Sequence, residues 1–163
     1  MLVMVMGLPG SGKTFFAKRL AERLGFSYIG SDQVRKEMHA MGKYSNQEKQ
    51  KVYKKMLVLA KTLLQEGKSV IVDTTFYQEA IRLQFEQLAQ HLFVPLLKFW
   101  IVAPVEVIKE RLSAPREDSE ADFGVYQKLA STFEAPSMPY IKLISSQNNI
   151  DDMLVEAERY LAH

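Results

Sequence analysis

Eight residues near the start of the chain have the types and spacing needed to hold phosphate groups. The stretch Gly7-Leu8-Pro9-Gly10-Ser11-Gly12-Lys13-Thr14 matches the pattern GxxxxGK[ST] at every fixed position. Its glycines let successive backbone N–H groups face an anion, and the following helix adds the positive end of its dipole. Lys13 supplies a charge for the β and γ phosphates, and Thr14 supplies a hydroxyl for Mg²⁺. The motif predicts binding of a nucleoside triphosphate by residues Gly7 to Phe15.

A second polar motif, Ser31-Asp32-Gln33-Val34-Arg35, follows the second apolar run of the chain. On a helix, Asp32 and Arg35 are three residues apart and project from the same face. Asp32 could then accept a proton from a substrate hydroxyl, and Arg35 could hold a phosphate or carboxylate of the acceptor. The alternative is that Ser31 or Asp32 only caps the helix.

A third polar motif, Asp73-Thr74-Thr75, closes the third apolar run. A carboxylate there can hold a water of Mg²⁺ or orient the lysine and threonine of the phosphate loop, as a Walker-B aspartate does. Alternatively, Asp73 only bonds to nearby backbone. Thr74 is expected on the acceptor side, and so is Arg82 on the next helix, although a solvated helix face would equally explain Arg82.

Residues 113–134 contain an irregular charged stretch and are predicted to form a helical lid. Arg111 and Arg116 bracket the Ser113-Ala114-Pro115 segment, and either could approach the nucleotide. An arginine that closes over the γ phosphate would stabilise charge in the transition state. A solvated surface arginine is the alternative in both cases.

Seven basic residues occur between positions 34 and 55, which the periodicity predicts to be one helix. A polyanionic acceptor would explain this excess, because neutralised phosphates supply affinity that does not depend on sequence. A lysine-rich helix face that is merely solvated is the alternative.

The elements that must position these residues are short apolar runs alternating with helical patterns. Five runs are predicted to be strands: Leu2–Met6, Phe26–Gly30, Ser69–Asp73, Phe93–Val102 and Tyr140–Ser145. Because the runs are continuously apolar, both faces of the sheet should be buried. The alternation predicts an α/β fold of three layers, a P-loop NTPase fold with about five parallel strands flanked by helices and a helical lid.

Length and composition set the remaining limits. The 163 residues fit one domain, and the net charge of +2 predicts neither nucleic-acid nor membrane binding. The absence of cysteine excludes disulfides, thiolate metal sites and a cysteine nucleophile, and it fits a reducing, cytoplasmic setting. The apolar residues 2–6 are far too few to span a membrane, so we expect a soluble protein without a membrane partner. The oligomeric state stays open.

Together the motifs resemble one family. GLPGSGKT after the first strand, SDxxR after the second, Asp73-Thr74 after the third, the RLxxxR segment 111–116 and the stretch ending in Phe133-Glu134 resemble the small P-loop kinases grouped with polynucleotide 5′-kinase and zeta toxin, which are AAA-domain-like. The resemblance implies an ATP-dependent transfer of phosphate to a hydroxyl. It implies Asp32 as general base, Arg35 near the acceptor, Thr14 on magnesium and Arg116 as lid arginine.

The sequence therefore predicts a kinase that uses Mg²⁺ and ATP, with Lys13, Asp32 and Arg116 as catalytic residues. A GTPase is excluded because neither NKxD nor DxxG occurs. Two acceptors remain open, the 5′-hydroxyl of a nucleic acid and the hydroxyl of a small metabolite. The alternative from another class is an ATP-binding switch or accessory ATPase that makes no phosphorylated product.

Overall fold

The computed structural model describes residues 1–114 and 122–162 of the chain. Five strands form its centre: β1 (Leu2–Met6), β2 (Ser27–Gly30), β3 (Val70–Asp73), β4 (Leu96–Val102) and β5 (Ile141–Ile144). All pairs are parallel, and the strand order is β2-β3-β1-β4-β5. The carboxyl ends of the strands therefore share one edge of the sheet, where open α/β sheets bind their ligands.

Helices connect the strands in the described part of the chain. They are α1 (Lys13–Leu24), α2 (Ser31–Glu37), α3 (Asn46–Gln65), α4 (Glu79–His91), α5 (Val105–Leu112), α6 (Phe123–Thr132) and α7 (Ile150–Leu161). None of the helices in residues 1–114 and 122–162 is both long enough and apolar enough to cross a membrane.

The central strand β1 is buried on both faces because its side chains alternate between two cores. Leu2, Met4 and Met6 pack with apolar residues of α3 and α4. Val3 and Val5 pack with apolar residues of α1 and α7. The sheet is thus the middle of three layers, which confirms the predicted three-layer P-loop NTPase fold.

The fourth strand is shorter than its apolar run predicted. It begins at Leu96 rather than Phe93. Val94 N donates to Ala89 O and so belongs to the turn after α4, and Phe93 is 95% exposed with a φ of 52°. Pro95 follows, and a proline has no N–H for a sheet ladder. The apolar composition of the run did not by itself show where β4 begins to pair with its neighbouring strand β1.

The single basic helix predicted over residues 34–55 is wrong, because two helices occupy this region. α2 ends at Glu37, and α3 begins after Ser45, whose hydroxyl accepts a hydrogen bond from Glu48 N at 3.2 Å. The lysines consequently point in different directions. Lys49 lines the cleft described below, Lys51 lies 3.4 Å from Glu48, and Lys54 lines a groove between α3 and α4. The chain does not present one basic face.

Candidate active site

A cleft of about 710 Å³ lies at the carboxyl edge of the sheet. It is lined by the loops that follow β1, β3 and β5 and by residues of α1, α2, α3, α5, α6 and α7. Among its lining residues are most of those predicted to act on nucleotide and acceptor: Pro9, Gly10, Gly12, Lys13, Thr14, Phe15, Asp32, Arg35, Thr74 and Arg111. The structure therefore brings together residues that the sequence distributes over three motifs and a helix.

The phosphate-binding loop joins β1 directly to α1. Gly10 and Gly12 have φ values of 79° and 90°, which L side chains rarely adopt. A Cβ on Gly7 would lie 2.5 Å from the carbonyl oxygen of Ile101 on β4, so the loop needs glycine there for close packing. Gly7, Leu8 and Ser11 shape the loop from outside the cleft lining, and Phe15 lines the cleft while 53% exposed.

Asp73 lies directly behind the loop, at the end of β3. Its Oδ2 accepts hydrogen bonds from the Thr14 hydroxyl and the Tyr28 hydroxyl, both at 2.7 Å. Its Oδ1 is buried and has no hydrogen-bond partner among the described residues. Asp73, Thr14 and Tyr28 also line a second cavity of about 200 Å³ beside the cleft. The carboxylate is thus fixed through one oxygen while the other stays available.

These donors fit a magnesium ion. Residues 1–114 and 122–162 contain no cluster of three His, Cys, Asp or Glu side chains that could hold a metal alone. Mg²⁺ in nucleotide sites, however, usually takes only one or two protein oxygens and completes its shell with phosphates and water. Asp73 Oδ1, which lacks a partner in the described chain, and the Thr14 hydroxyl are such oxygens.

Asp32 and Arg35 lie together on α2, as their spacing predicted. Arg35 Nη1 is 3.7 Å from Asp32 Oδ1. The helix is capped by Gly30, and no side chain supplies a cap hydrogen bond there, so the capping alternative for Ser31 and Asp32 is wrong. The Arg35 side chain is only 9% exposed, and its guanidinium lies 4.8 Å from the centre of the Tyr44 ring.

Arg111 closes the other side of the loop. Its guanidinium donates to Gly10 O at 3.0 Å, Ser145 Oγ at 3.0 Å and Ser146 O at 2.8 Å. Burial lowers the pKa of this guanidinium, and neighbouring Glu110 partly opposes that shift. Arg111 therefore ties the phosphate loop to the end of β5. The alternative that Arg111 is a solvated surface arginine is wrong, because its guanidinium makes three hydrogen bonds to the protein.

Thr74 is buried at the floor of the cleft. Its backbone N donates to Val5 O at 3.3 Å, and its side chain hydrogen-bonds with Tyr53 of α3. Burial raises the pKa of Tyr53 to about 12, so this phenol stays protonated near neutral pH. Thr74 thereby links β3 to the helix that carries Lys49.

Arg82 does not lie at the cleft, and both interpretations of it from the sequence are wrong. It is fully buried, whereas an acceptor ligand or a solvated residue would be accessible. Its Nε donates to Phe76 O at 2.8 Å, Nη1 pairs with Glu79 at 2.6 Å, and Nη2 donates to Glu134 O. Arg82 therefore joins α4 to the segment after α6, since its donors are used by structural partners.

One predicted residue is not observed, and several others were missed. Arg116 lies outside the described residues. Lys128, Tyr44 and Ser145 line the cleft but were not assigned to a site from the sequence, and Lys49 was predicted only as one of seven basic residues on a single helix. The polar run Ser145-Ser146-Gln147 after β5 carried a usable signal, because it follows a parallel strand at the same edge. Lys128 had no such signal, and nothing distinguished Lys49 from the other lysines of its stretch, since exposed and cleft-facing lysines look alike in a sequence.

Fold and site together define a nucleotide-binding α/β protein of the P-loop class. The chain belongs to the AAA domain family, whose model matches residues 2–136.

Two relatives match this chain over very different shares of their own length. It is 31% identical over 125 residues to an uncharacterized protein of Mycobacterium tuberculosis strain H37Rv, which covers 69% of this chain but 25% of that protein. The chain thus spans about a quarter of the length of that relative. It is 23% identical over 157 residues to a probable adenylyl-sulfate kinase of Aeropyrum pernix, covering 92% of this chain and 86% of the relative.

The fold is shared with solved kinase structures. The APS kinase CysC of Mycobacterium tuberculosis, in complex with AMPPNP and APS, superposes with a TM-score of 0.76 and 20% identity over 99% of this chain and 97% of that one. At this identity the likeness concerns the fold.

Proposed function

We propose that this protein is an ATP-dependent kinase that transfers the γ-phosphoryl group of Mg·ATP to a hydroxyl of a small metabolite. One observation carries the proposal: the phosphate-binding loop and the Asp32 carboxylate line the same cleft. A nucleotide switch needs the loop, but it has no need for a carboxylate within reach of a second substrate.

In the proposed reaction, the acceptor hydroxyl attacks the γ phosphorus while its proton passes to Asp32. The bond from the γ phosphorus to the β–γ bridging oxygen breaks, and ADP leaves. Lys13 stabilises the charge on the β and γ phosphates, and Thr14 with Asp73 would hold Mg²⁺. When bound, Mg²⁺ neutralises phosphate charge. Because phosphoryl transfer needs little covalent help, positioning and charge supply most of the rate. Arg116 retains its proposed role as lid arginine, and Arg111 is proposed to support the nucleotide.

A small acceptor is favoured over a nucleic-acid 5′-hydroxyl. The Aeropyrum relative and the superposed mycobacterial structure are both named as kinases of adenylyl sulfate, a small molecule. The expectation of a nucleic acid came from the resemblance to polynucleotide 5′-kinase and from one continuous basic helix, and the break between α2 and α3 removes the second of these supports.

Product formation across a panel of hydroxyl compounds tests the proposal, with Asp32→Asn as the variant and Glu37→Gln as its control on the same helix. Wild type and Glu37→Gln should each form one phosphorylated acceptor for every ADP, and the two proteins should do so at the same rate. Asp32→Asn should lower kcat by about 10²–10⁴-fold, the usual contribution of a general base, with nucleotide affinity retained. If all three proteins release phosphate only to water, at equal rates, the protein is an accessory ATPase and the kinase proposal is wrong.

A further inference from the structure

Three cations from three different helices, none of them part of the phosphate loop, line the cleft and lie close enough to repel one another. They are Arg35 of α2, Lys49 of α3 and Lys128 of α6, and we call this group the acceptor end of the cleft. Asp32 is the one acidic residue among the described residues that line the whole cleft, whereas Lys13 and Arg111 add two more cations. The cleft therefore has a strong excess of positive charge although the chain as a whole is nearly neutral.

The cations at the acceptor end are poorly neutralised by the protein. Within residues 1–114 and 122–162, Lys49 and Lys128 form no ion pair, and Arg35 has only the 3.7 Å contact with Asp32. Buried cations elsewhere in the fold are paired closely, for example Lys98 with Glu86 at 2.8 Å. Of the three, Arg35 is withdrawn from water, Lys49 is half-buried and Lys128 is exposed. A charged group withdrawn from water usually has a close partner, so the weak pairing of Arg35 points to one supplied by a ligand.

The three cations also act on one another. Burial lowers the pKa of Lys49, and repulsion by Lys128 and Arg35 lowers it further. The Lys49 ammonium lies 5.1 Å from the centre of the Tyr77 ring, which holds it over the cleft. An anion placed among the three would remove this repulsion, since it would favour the charged form of each group.

Arg35 provides a donor that is ready for such an anion. Its Nε is buried and makes no hydrogen bond to any described residue. Stacking on Tyr44 and the contact with Asp32 hold the guanidinium in place, so binding would cost little side-chain ordering. A buried donor without a partner is costly, and an oxyanion would satisfy it.

We propose that the acceptor carries an anionic group, a phosphate, sulfate or carboxylate, which Arg35, Lys49 and Lys128 bind while the acceptor hydroxyl faces Asp32. This inference rests on the proposed kinase function and names the substrate class for the same site. A single small anion suits three cations that converge on one cleft. A polynucleotide would need a basic track along an open groove, and Lys51, Lys54 and Lys55 lie outside the cleft lining.

Sulfate binding tests the proposal without catalysis. The phosphate loop is first saturated with Mg²⁺ and a non-hydrolysable ATP analogue, and sulfate is then titrated into the complex by calorimetry. Lys49→Met and Lys128→Met should weaken sulfate binding about tenfold or more each, because each removes one charged contact. Lys55→Met is the matched control: Lys55 lies on α3 as Lys49 does, is exposed and lies outside the cleft lining, so this variant should bind sulfate as wild type does.

Titration of Lys49 by NMR gives a second measurement. The groups facing it are Lys128 from α6, Arg35 from α2 and the Tyr77 ring after β3, and Tyr53 of α3 lines the same cleft. The pKa of Lys49 should rise when sulfate is added, and it should also rise in Lys128→Met without sulfate. If the pKa of Lys49 stays the same both on addition of sulfate and in Lys128→Met, the three cations do not share an anion site.

Acceptor kinetics then separate the sources of the anion. Hydroxyl compounds with and without a phosphate, sulfate or carboxylate group are compared in matched pairs, and Lys49→Met should raise KM for the anionic members at least about tenfold while leaving neutral members unchanged. Three outcomes would contradict the proposals. If all three proteins bind the nucleotide analogue, and Lys49→Met and Lys128→Met bind sulfate as tightly as wild type does, the anion site is wrong but the kinase proposal stands. Absence of analogue binding in wild type would instead overturn the proposed kinase. Tight binding of oligonucleotides that Lys55→Met weakens as much as Lys49→Met would overturn the small acceptor in favour of a polyanion.

Discussion

The phosphate end of the cleft (Lys13 and Thr14, with Asp73 directly behind them) and the acceptor end (Arg35, Lys49 and Lys128) hold their polar groups in different ways. At the phosphate end, one loop and the ends of β2 and β3 bring the groups together, and Thr14 and Tyr28 both bond to Asp73. At the acceptor end, cations from three helices face each other, and α6, which carries Lys128, has no buried residue. The hydrogen-bonded phosphate end suits the triphosphate, a ligand common to many P-loop proteins. The acceptor end is built partly from an exposed helix, and it suits an acceptor that differs between such proteins.

Removing the buried Arg82 should have the largest effect on stability, because its guanidinium joins α4 to the segment after α6, the helix that carries Lys128. Arg82→Met leaves Phe76 O and Glu134 O without their donor and releases the segment after α6. Unfolding in urea should show a loss of about 3 kcal/mol, because two carbonyl groups lose their charged hydrogen-bond donor and the partly exposed Glu79 carboxylate adds little. Arg23→Met, which removes an exposed pair with Glu158, should cost less than about 1 kcal/mol. If the two variants lost the same free energy of unfolding, Arg82 would have no special structural role.

Removal of the loop lysine tests the phosphate end alone. Lys13→Met should lower kcat by about 10²–10³-fold, the usual effect of losing one preorganised group that stabilises developing charge. Sulfate binding at the acceptor end should stay intact, since Lys13 contributes to the other end of the cleft. Measuring both quantities on one protein preparation separates the two ends, and a parallel loss of sulfate binding would show that they are one site.

The hydrogen bond from Tyr28 to Asp73 should have a smaller effect on the phosphate end. Tyr28→Phe removes a 2.7 Å bond to a carboxylate, and the free energy of unfolding should fall by about 1.5 kcal/mol. Because Asp73 is then held by Thr14 alone, the Mg²⁺ concentration for half-maximal activity should rise. Tyr160→Phe, an exposed tyrosine on α7, is the control and should change neither quantity. An unchanged Mg²⁺ requirement in Tyr28→Phe would show that this bond does not position Asp73.

The smallest effect is expected at the start of α3. Ser45→Ala removes the side chain that caps the helix carrying Lys49, at a cost of about 1 kcal/mol in thermal or urea unfolding. Because Lys49 lies in the first turns of α3, the acceptor KM should rise slightly while nucleotide affinity stays the same. Ser131→Ala within α6 serves as control, since its hydroxyl only bonds back to Lys128 O in its own helix. A change in nucleotide affinity with Ser45→Ala would mean that the two ends are coupled.

Much of the fold could be predicted from the sequence because strand burial leaves a local trace. A central parallel strand is apolar on both faces, so Leu2–Met6 had the correct bounds without any tertiary information. Helix breaks left a weaker trace. The lysine-rich stretch has helical periodicity on both sides of residues 38–45, and this periodicity hid the turn in which Gly42 and His39 have positive φ.

The part of the phosphate end that holds Lys13 and Thr14 was determined by the sequence alone, because a strand, a glycine loop and a helix N-terminus are consecutive in the chain. Local geometry therefore sufficed to predict where Lys13 and Thr14 lie. Only the tertiary structure decided the positions of Arg82, Lys49 and Lys128. Whether a cation is buried in a structural contact or faces a cleft depends on which distant helices pack around it, and no short-range pattern encodes that packing.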